Sequence, residues 1–228
     1  MKSGAEPKIY KFFIFISKMD SLILLVNNLK NSPIKNIVDS RMREFSELGK
    51  KSSQNVFKEL CFCLLTANFS ASGGIKIQNA IGDGFLFLTQ EELAQKLAEL
   101  GHRFPNARAG FIFQARKYKD NIKQILLNLN TDEEKRKFLA ENIKGLGFKE
   151  SSHFLRNIGH KNIAIIDFHI VDLLAREGLI EKPKSKSLTP KKYAEIENIL
   201  KQLAEKTNTN LGELDLYLWY EETGKILK

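Results

Sequence analysis

The stretch that decides the fold is IKGLGFK, residues 143–149, in which Gly145 and Gly147 flank a leucine. Glycine adopts positive φ freely and leaves neighbouring amides uncovered, so the stretch predicts a tight turn whose N–H groups can bind an anion. Apolar residues then recur at helical spacing up to residue 158, which predicts a helix with Lys149 in its first turn. The positive end of that helix disfavours the ammonium form of Lys149, and a neutral amine is a nucleophile.

Asp167 follows an apolar stretch and precedes a second run of helical periodicity, so it is predicted to cap another helix. A turn with free amides, a lysine at a helix start and a carboxylate together indicate a site that holds a phosphate and attacks a carbon. Each feature also has a purely structural explanation. Glycine is common in turns between helices, and most lysines on helices are solvated.

The composition favours one globular domain, or two small subdomains, with a polyanionic partner. The chain has 228 residues, 36 Lys and Arg against 27 Asp and Glu, and a net charge of +9. Such a balance is typical of proteins that bind nucleic acid, although simple solubility explains it about equally well.

The cysteines, the histidines and the N-terminal segment argue against metal-binding and membrane-spanning proteins. Cys61 and Cys63 lie in an apolar run, cannot form a four-thiolate zinc or iron–sulfur site, and are expected to be buried reduced thiols. The four histidines show no metal-ligand spacing, so no metal or cofactor is expected. The apolar run at residues 10–16 is too short to span a bilayer. Residues 1–18 are interpreted as an extension before Met19, and the protein as soluble and cytoplasmic.

The helical periodicity predicts an all-α protein. Phe57 begins an apolar face that runs to Leu65, which indicates a buried helix. Two Thr-x-x-Glu sequences, at residues 89–92 and 131–134, predict capping boxes, and Thr189-Pro190 predicts another helix start. Residues 162–166 are β-prone but isolated, and the lysine-rich loop at residues 182–186 is interpreted as solvated.

Several motifs together resemble the helix-hairpin-helix DNA glycosylase superfamily, and within it the archaeal-type 8-oxoguanine DNA glycosylase/AP lyases. They are KGLGFK at residues 144–149, SHFLRN at 152–157, IDFHI at 166–170, ELCFCLLTANF at 59–69, GHRF at 101–104 and LDLYLWY at 214–220. The resemblance extends from about residue 20 to the last residue. It differs at Phe168, where the family pattern has a basic residue before the histidine.

The resemblance implies a catalytic pair. Lys149 would attack C1′ of the damaged nucleotide and form a Schiff base, while Asp167 would orient the lysine and stabilise the cationic sugar. The damaged nucleotide would have to be extruded from the duplex into a pocket, because C1′ is inaccessible within the stack.

The resemblance also implies residues that contact the base and the DNA. Phe104 and Trp219 would stack on the extruded purine, and the side chain or terminal carboxylate of Lys228 would contact it. Asn68 would enter the gap in the duplex, and Gly145 and Gly147 would offer amides to a phosphate. The structural alternatives are core packing for Trp219, a plain loop for Phe104, a frayed terminus for Lys228 and a helix cap for Asn68.

The sequence therefore predicts two helical subdomains with a helix-hairpin-helix motif flanking a DNA-binding cleft. Residues 1–52 and 162–228 would form one subdomain and residues 53–161 the other, with Lys149 and Asp167 facing each other across their junction. The expected protein is a monomer that excises 8-oxoguanine from double-stranded DNA and cleaves the abasic site by β-elimination. A non-catalytic DNA-binding module and a glycosylase for another oxidised base are the alternatives.

Overall fold

The computed structural model describes residues 19–185 and 187–228, and throughout them the regular structure is helical, which confirms the all-α prediction. The β-prone residues 162–166 form a connection. The expected extension at residues 1–18, and Lys186 of the lysine-rich loop, lie outside the described residues. The helices are α1 (residues 19–30), α2 (Ile34–Lys50), α3 (Ser53–Thr66), α4 (Ala71–Ile81), α5 (Gly84–Phe87), α6 (Gln90–Glu99), α7 (Pro105–Ala115), α8 (Ile122–Leu127), α9 (Asp132–Asn142), α10 (Phe148–Asn157), α11 (Phe168–Arg176), α12 (Pro190–Thr207) and α13 (Leu211–Thr223), with a 3₁₀ turn at Arg116–Tyr118.

The chain divides into two compact units. The terminal unit holds the described residues up to Ser40 together with Ile166–Ile226, and the hairpin unit holds Arg41–Ile165 and Leu227–Lys228. The divisions thus fall at residues 40/41, 165/166 and 226/227, whereas the sequence analysis placed them at 52/53 and 161/162 and left residues 227–228 with the terminal segment. The difference at α2 arises because this helix is continuous and its second half packs on the end of α10.

Two contacts fix that packing within the hairpin unit. The guanidinium of Arg156 lies 4.6 Å from the centre of the Phe45 ring. A Cβ on Gly49 would overlap the carbonyl of Ile158, so only glycine permits this approach of the two backbones. Arg41–Lys50 therefore belong with the helices that follow them.

The core of the hairpin unit is built around α3. Ser52 caps this helix by accepting from the Asn55 amide at 3.3 Å, and its residues from Val56 onward are buried almost without interruption. Burying one Leu or Phe side chain contributes roughly 1.5–3 kcal/mol, so this helix holds the unit together. Cys61 and Cys63 are buried and free, as expected, and burial raises the pKa of both thiols, which keeps them protonated and unreactive.

The capping predictions are confirmed. Thr89 and Glu92 form a reciprocal capping box at α6, and Thr131 and Glu134 form another at α9. In the terminal unit, the Thr189 hydroxyl caps α12, which begins at Pro190. Each cap satisfies amides that the first helical turn leaves without partners, and is worth about 1 kcal/mol.

In the terminal unit, α13 packs against both α11 and α12. The segment that enters α11 is tied to α12 because the Ile166 amide donates to the Tyr193 hydroxyl at 3.2 Å. This bond places the start of α11, where Asp167 lies, on a buried support.

Candidate active site

The hairpin turn between α9 and α10 is tight, as predicted, but the amides of Leu146 and Gly147 both donate to groups within the protein. Gly145 has φ 96°, and a Cβ there would overlap the ring of Phe111 and lie 3.1 Å from a methyl group of Leu64. Leu146 is 5% exposed and donates its amide to the Ile143 carbonyl at 3.1 Å. The turn is thus anchored by its leucine and can pass Phe111 only with glycine at position 145.

Gly147 is arranged differently from a free amide donor. Its N–H donates to the Glu150 carboxylate at 3.2 Å, and its φ of −96° is accessible to any residue. A phosphate approaching this amide would have to displace a like-charged carboxylate.

Lys149 is the second residue of α10 and is half-buried. One helical turn further on lies His153, which is 6% exposed. Burial lowers the pKa of His153 well below its usual value, and the cations of Arg156, Lys149 and Lys228 lower it further. Lys149 and Lys228 therefore act on the same buried imidazole, which stays neutral at physiological pH.

Lys228 is fixed rather than frayed. Its Nζ donates to Glu59 Oε2 at 2.9 Å and to the side-chain carbonyl of Gln78, and lies 4.4 Å from the centre of the Phe62 ring. The Phe62 ring also meets the His153 ring edge-on, with the two ring centres 5.6 Å apart. The last residue of the chain is thus docked on α3 and α4.

The carboxylate of Glu59 receives hydrogen bonds on both oxygens although it is only 2% exposed. Oε1 accepts from Asn157 Nδ2 at 2.6 Å, and Oε2 accepts from Gln78 Nε2 at 3.1 Å besides the ammonium of Lys228. We call these four residues, Glu59, Gln78, Asn157 and Lys228, the Glu59 cluster.

Phe104 is 39% exposed and precedes α7, with the Arg103 guanidinium 5.1 Å from the centre of its ring. Its amide donates to His102 Nδ1 at 3.0 Å, and His102 Nε2 lies 3.0 Å from the Leu65 carbonyl oxygen. Nδ1 accepts, so Nε2 carries the proton of a neutral ring. Burial lowers the pKa of His102, which favours that form.

Asn68 is exposed and has φ 59°, a left-handed conformation that is uncommon outside glycine. The segment is held on both sides. Arg108 Nη2 donates to the Ala67 carbonyl at 2.6 Å, and the Phe69 ring packs on His102 at 4.4 Å. His102 therefore contacts both the segment that presents Asn68 and the residue Phe104.

Asp167 and Trp219 lie in the terminal unit. Asp167 caps α11, as predicted, by accepting from the Ile170 amide on Oδ1 at 3.0 Å. Phe168 is 62% exposed and stacks on His169 at 4.0 Å, and His169 meets the half-buried Trp219 edge-on at 4.9 Å. The residue that differs from the family pattern is thus part of an aromatic stack with Trp219.

The hairpin unit carries six of the expected site residues and the terminal unit two. The former are Asn68, Phe104, Gly145, Gly147, Lys149 and Lys228, and the latter are Asp167 and Trp219. The sequence analysis did not predict the residues that fix the site residues of the hairpin unit in place, chiefly Glu59, Gln78, Asn157, His102 and Arg108. A signal existed for Glu59, because an acidic residue beside Leu60 in a helix that is buried on every side needs a partner.

The described residues show neither a metal-binding group nor a membrane-spanning helix. Within residues 19–185 and 187–228, no three His, Cys, Asp or Glu side chains are grouped so as to hold a metal ion. Over the same ranges, no helix combines the length and the apolar character that crossing a bilayer requires.

An all-helical chain with a glycine hairpin, and a lysine in the first turn of the helix that follows, has the features of the helix-hairpin-helix proteins that act on DNA. The chain belongs to the 8-oxoguanine DNA glycosylase family, whose model matches residues 38–209. This confirms the family resemblance predicted from the motifs.

Relatives and solved structures agree with this assignment. The 8-oxoguanine DNA glycosylase/AP lyase of Korarchaeum cryptofilum is 53% identical over 92% of this chain and 99% of its own. The glycosylase/lyase of Methanocaldococcus jannaschii, solved in complex with a 15-mer DNA containing 8-oxoguanine, superposes with a TM-score of 0.88, is 52% identical, and is matched over 91% of this chain and 100% of its own. The Thermotoga maritima 8-oxoguanine DNA glycosylase gives a TM-score of 0.86 at 43% identity, over 92% of this chain and 100% of its own.

Proposed function

We propose that this protein excises 8-oxoguanine from double-stranded DNA and then cleaves the strand at the abasic site, with Lys149 as nucleophile. The observation that carries the proposal is the position of Lys149, in the first turn of the helix after the glycine hairpin, in a chain 53% identical to a relative named 8-oxoguanine DNA glycosylase/AP lyase. Its side chain is half-buried, and its charge and that of Lys228 both lower the pKa of His153.

In the first step the lone pair of the Lys149 amine attacks C1′ of the extruded nucleotide. The bond from C1′ to N9 breaks, and the base leaves with the bonding electrons and takes up a proton. The bond from C1′ to O4′ then breaks, O4′ takes up the proton that the attached amine loses, and a protonated Schiff base joins Lys149 to C1′.

In the second step this iminium serves as the electron sink. A base removes a proton from C2′, the electrons move toward the iminium nitrogen, and the bond between C3′ and its phosphate oxygen breaks. The 3′ strand fragment leaves as a phosphate, and hydrolysis of the remaining Schiff base regenerates Lys149. Because the lysine supplies the electron sink, this pair of reactions requires no cofactor.

Asp167 is assigned the stabilising carboxylate. Its Oδ1 is engaged by the Ile170 amide, which fixes the side chain at the start of α11. The cationic character that develops at C1′ as the base leaves is stabilised by a nearby anion.

Lys228, Phe104 and Trp219 are assigned to the base. The ammonium of Lys228 is already engaged by Glu59 and Gln78, so the contact with the base is assigned to its carboxylate. 8-Oxoguanine carries a proton on N7, whereas guanine has a lone pair there. An anionic acceptor facing N7 therefore attracts the oxidised base and repels guanine.

The partner is double-stranded DNA. The net charge of +9 favours a polyanion, Gly145 shapes the hairpin turn, and the exposed Asn68 would fill the gap that the extruded nucleotide leaves. Because phosphate contacts release counterions, binding should weaken steeply with salt.

Borohydride trapping tests the proposal. Reduction in the presence of a duplex containing 8-oxoguanine should fix the protein covalently to DNA, and Lys149→Gln should abolish both the adduct and excision. The matched control is Lys137→Gln, since Lys137 is an exposed lysine of α9 that faces Glu141. An adduct that persists in Lys149→Gln would show that another group is the nucleophile.

Two further results would select the alternatives. Tight binding with neither excision nor trapping in the unmodified protein would indicate a non-catalytic DNA-binding module. Excision of an oxidised pyrimidine but not of 8-oxoguanine, in a panel of duplexes that differ only in the lesion, would indicate another substrate.

A further inference from the structure

We propose that Glu59 is a positioning residue for base excision, which fixes the C-terminal Lys228 relative to the helix that carries Lys149. The proposal rests on the function proposed above, in which Lys228 contacts the base. Glu59 itself touches neither the substrate nor the reacting atoms.

The proposal rests on the fact that the two carboxylate oxygens of Glu59 bind different partners. Oε2 lies 2.9 Å from the Lys228 ammonium, and Oε1 lies 2.6 Å from the amide nitrogen of Asn157. Asn157 is the last residue of α10, and Lys149 is the second. One buried side chain therefore joins the residue assigned to the base with the helix assigned to the sugar.

The electrostatics of the site make this link specific. Glu59 is 2% exposed and forms its ion pair with Lys228, whose side chain is 21% exposed. Burying a carboxylate costs free energy unless a cation and hydrogen bonds offset its loss of water, and the Glu59 cluster provides both. The ammonium is in turn confined because it also contacts Gln78 and the face of Phe62.

The covalent position of Lys228 explains why such confinement matters. A chain terminus is ordinarily mobile, and a group that discriminates between two bases must be held in one place. Leu227–Lys228 belong to the hairpin unit although the residues before them belong to the terminal unit. The Glu59 cluster holds the ammonium of Lys228 in the unit that carries Lys149.

Comparing two reactions separates positioning from mere stability. Excision of 8-oxoguanine requires the base contact, whereas cleavage of a preformed abasic site requires Lys149 but no base. We expect Glu59→Gln, which keeps the shape and removes the charge, to slow single-turnover excision by about 10- to 100-fold. The same variant should cleave a preformed abasic duplex at nearly the unmodified rate.

Two variants complete the experiment. Glu47→Gln is the matched control, since Glu47 is an exposed glutamate of α2 that pairs with Lys50, and it should leave both reactions unchanged. Gln78→Leu removes the contact to Lys228 and one hydrogen bond to Glu59 but keeps the Glu59 carboxylate and its pairing with Lys228, so it keeps the test valid if Glu59→Gln fails to fold. It should lower excision relative to abasic cleavage in the same direction by a smaller factor.

Deleting Lys228 provides the decisive comparison. If Glu59 acts through Lys228, the deletion should slow excision strongly in the unmodified background and add little in Glu59→Gln. Equal losses of excision and abasic cleavage in Glu59→Gln, or unchanged excision in the folded variant, would overturn the proposal. An unmodified protein that excises no 8-oxoguanine would instead refute the function on which it rests.

Discussion

Lys228 Nζ lies 2.9 Å from Glu59 Oε2, so Lys228 forms an ion pair with a buried residue 169 positions earlier, in the middle of α3. The contact turns a chain end into a structural element.

The terminal carboxylate gives a first prediction. Extending the chain beyond Lys228 by a short Gly-Ser segment converts this carboxylate to an amide while the ammonium can keep its contacts with Glu59 and Gln78. We expect excision of 8-oxoguanine to fall by about tenfold or more, because an anionic acceptor for N7–H is lost, and cleavage of preformed abasic DNA to persist. The same segment placed before Met1 is the control. Unaltered excision in the C-terminally extended protein would argue against a role of the carboxylate.

A second prediction concerns the hairpin. Gly145→Ala should destabilise the protein by about 2–4 kcal/mol, because the residue has φ 96° and its Cβ would overlap Phe111. Gly147→Ala is the matched control: its φ is ordinary, and its Cβ would lie 3.2 Å from a Glu150 oxygen that can move. Urea denaturation of the two variants measures the difference, and equal stabilities would contradict it.

A third prediction concerns Asn68. Asn68→Gly suits the φ of 59°, so the free energy of unfolding should be unchanged or slightly raised. Excision from a fully paired duplex should nevertheless slow, because the side chain that fills the gap is lost. Excision from a single strand should change little, since no pairing or stacking partner has to be replaced there. A similar reduction on both substrates would contradict the assignment.

A fourth prediction concerns pH. Burial lowers the pKa of His102 and, more strongly, that of His153, from an ordinary value of 6.5. The unfolded chain therefore binds these protons more readily, so the free energy of unfolding is greatest above pH 6.5 and declines as the pH falls through the folded-state values. The slope approaches about 1.4 kcal/mol per pH unit for each proton.

Denaturation between pH 8 and pH 5 measures this decline. His153→Leu should reduce the slope in that range even if it changes the absolute stability. The pKa of Asp132 is lowered chiefly by its hydrogen bond with His160. Its protonation also lowers the free energy of unfolding as the pH falls, but only below its ordinary pKa of 3.8. A profile that is flat from pH 8 to pH 5 would contradict the burial of neutral imidazoles.

The parts of the fold that the sequence predicted are those written in neighbouring residues. The hairpin turn at Gly145, the cap at Asp167 and the capping box at Thr89 each depend on residues a few positions apart. The motifs also sufficed for the family. The position of Lys149 in the first turn of α10 followed from the same local pattern.

The tertiary structure decided what happens to polar groups whose partners are distant in the chain. In the sequence, Glu59 is a single acidic residue in an apolar helix. Its partners, Lys228 and Asn157, lie in later parts of the chain and are known only from the tertiary structure. The hydrogen bond between His102 and the Leu65 carbonyl is likewise set by tertiary packing. The physical reason is that helical periodicity reports which face is buried, whereas the partner of a buried charge is set by the packing of several helices, which no local pattern records.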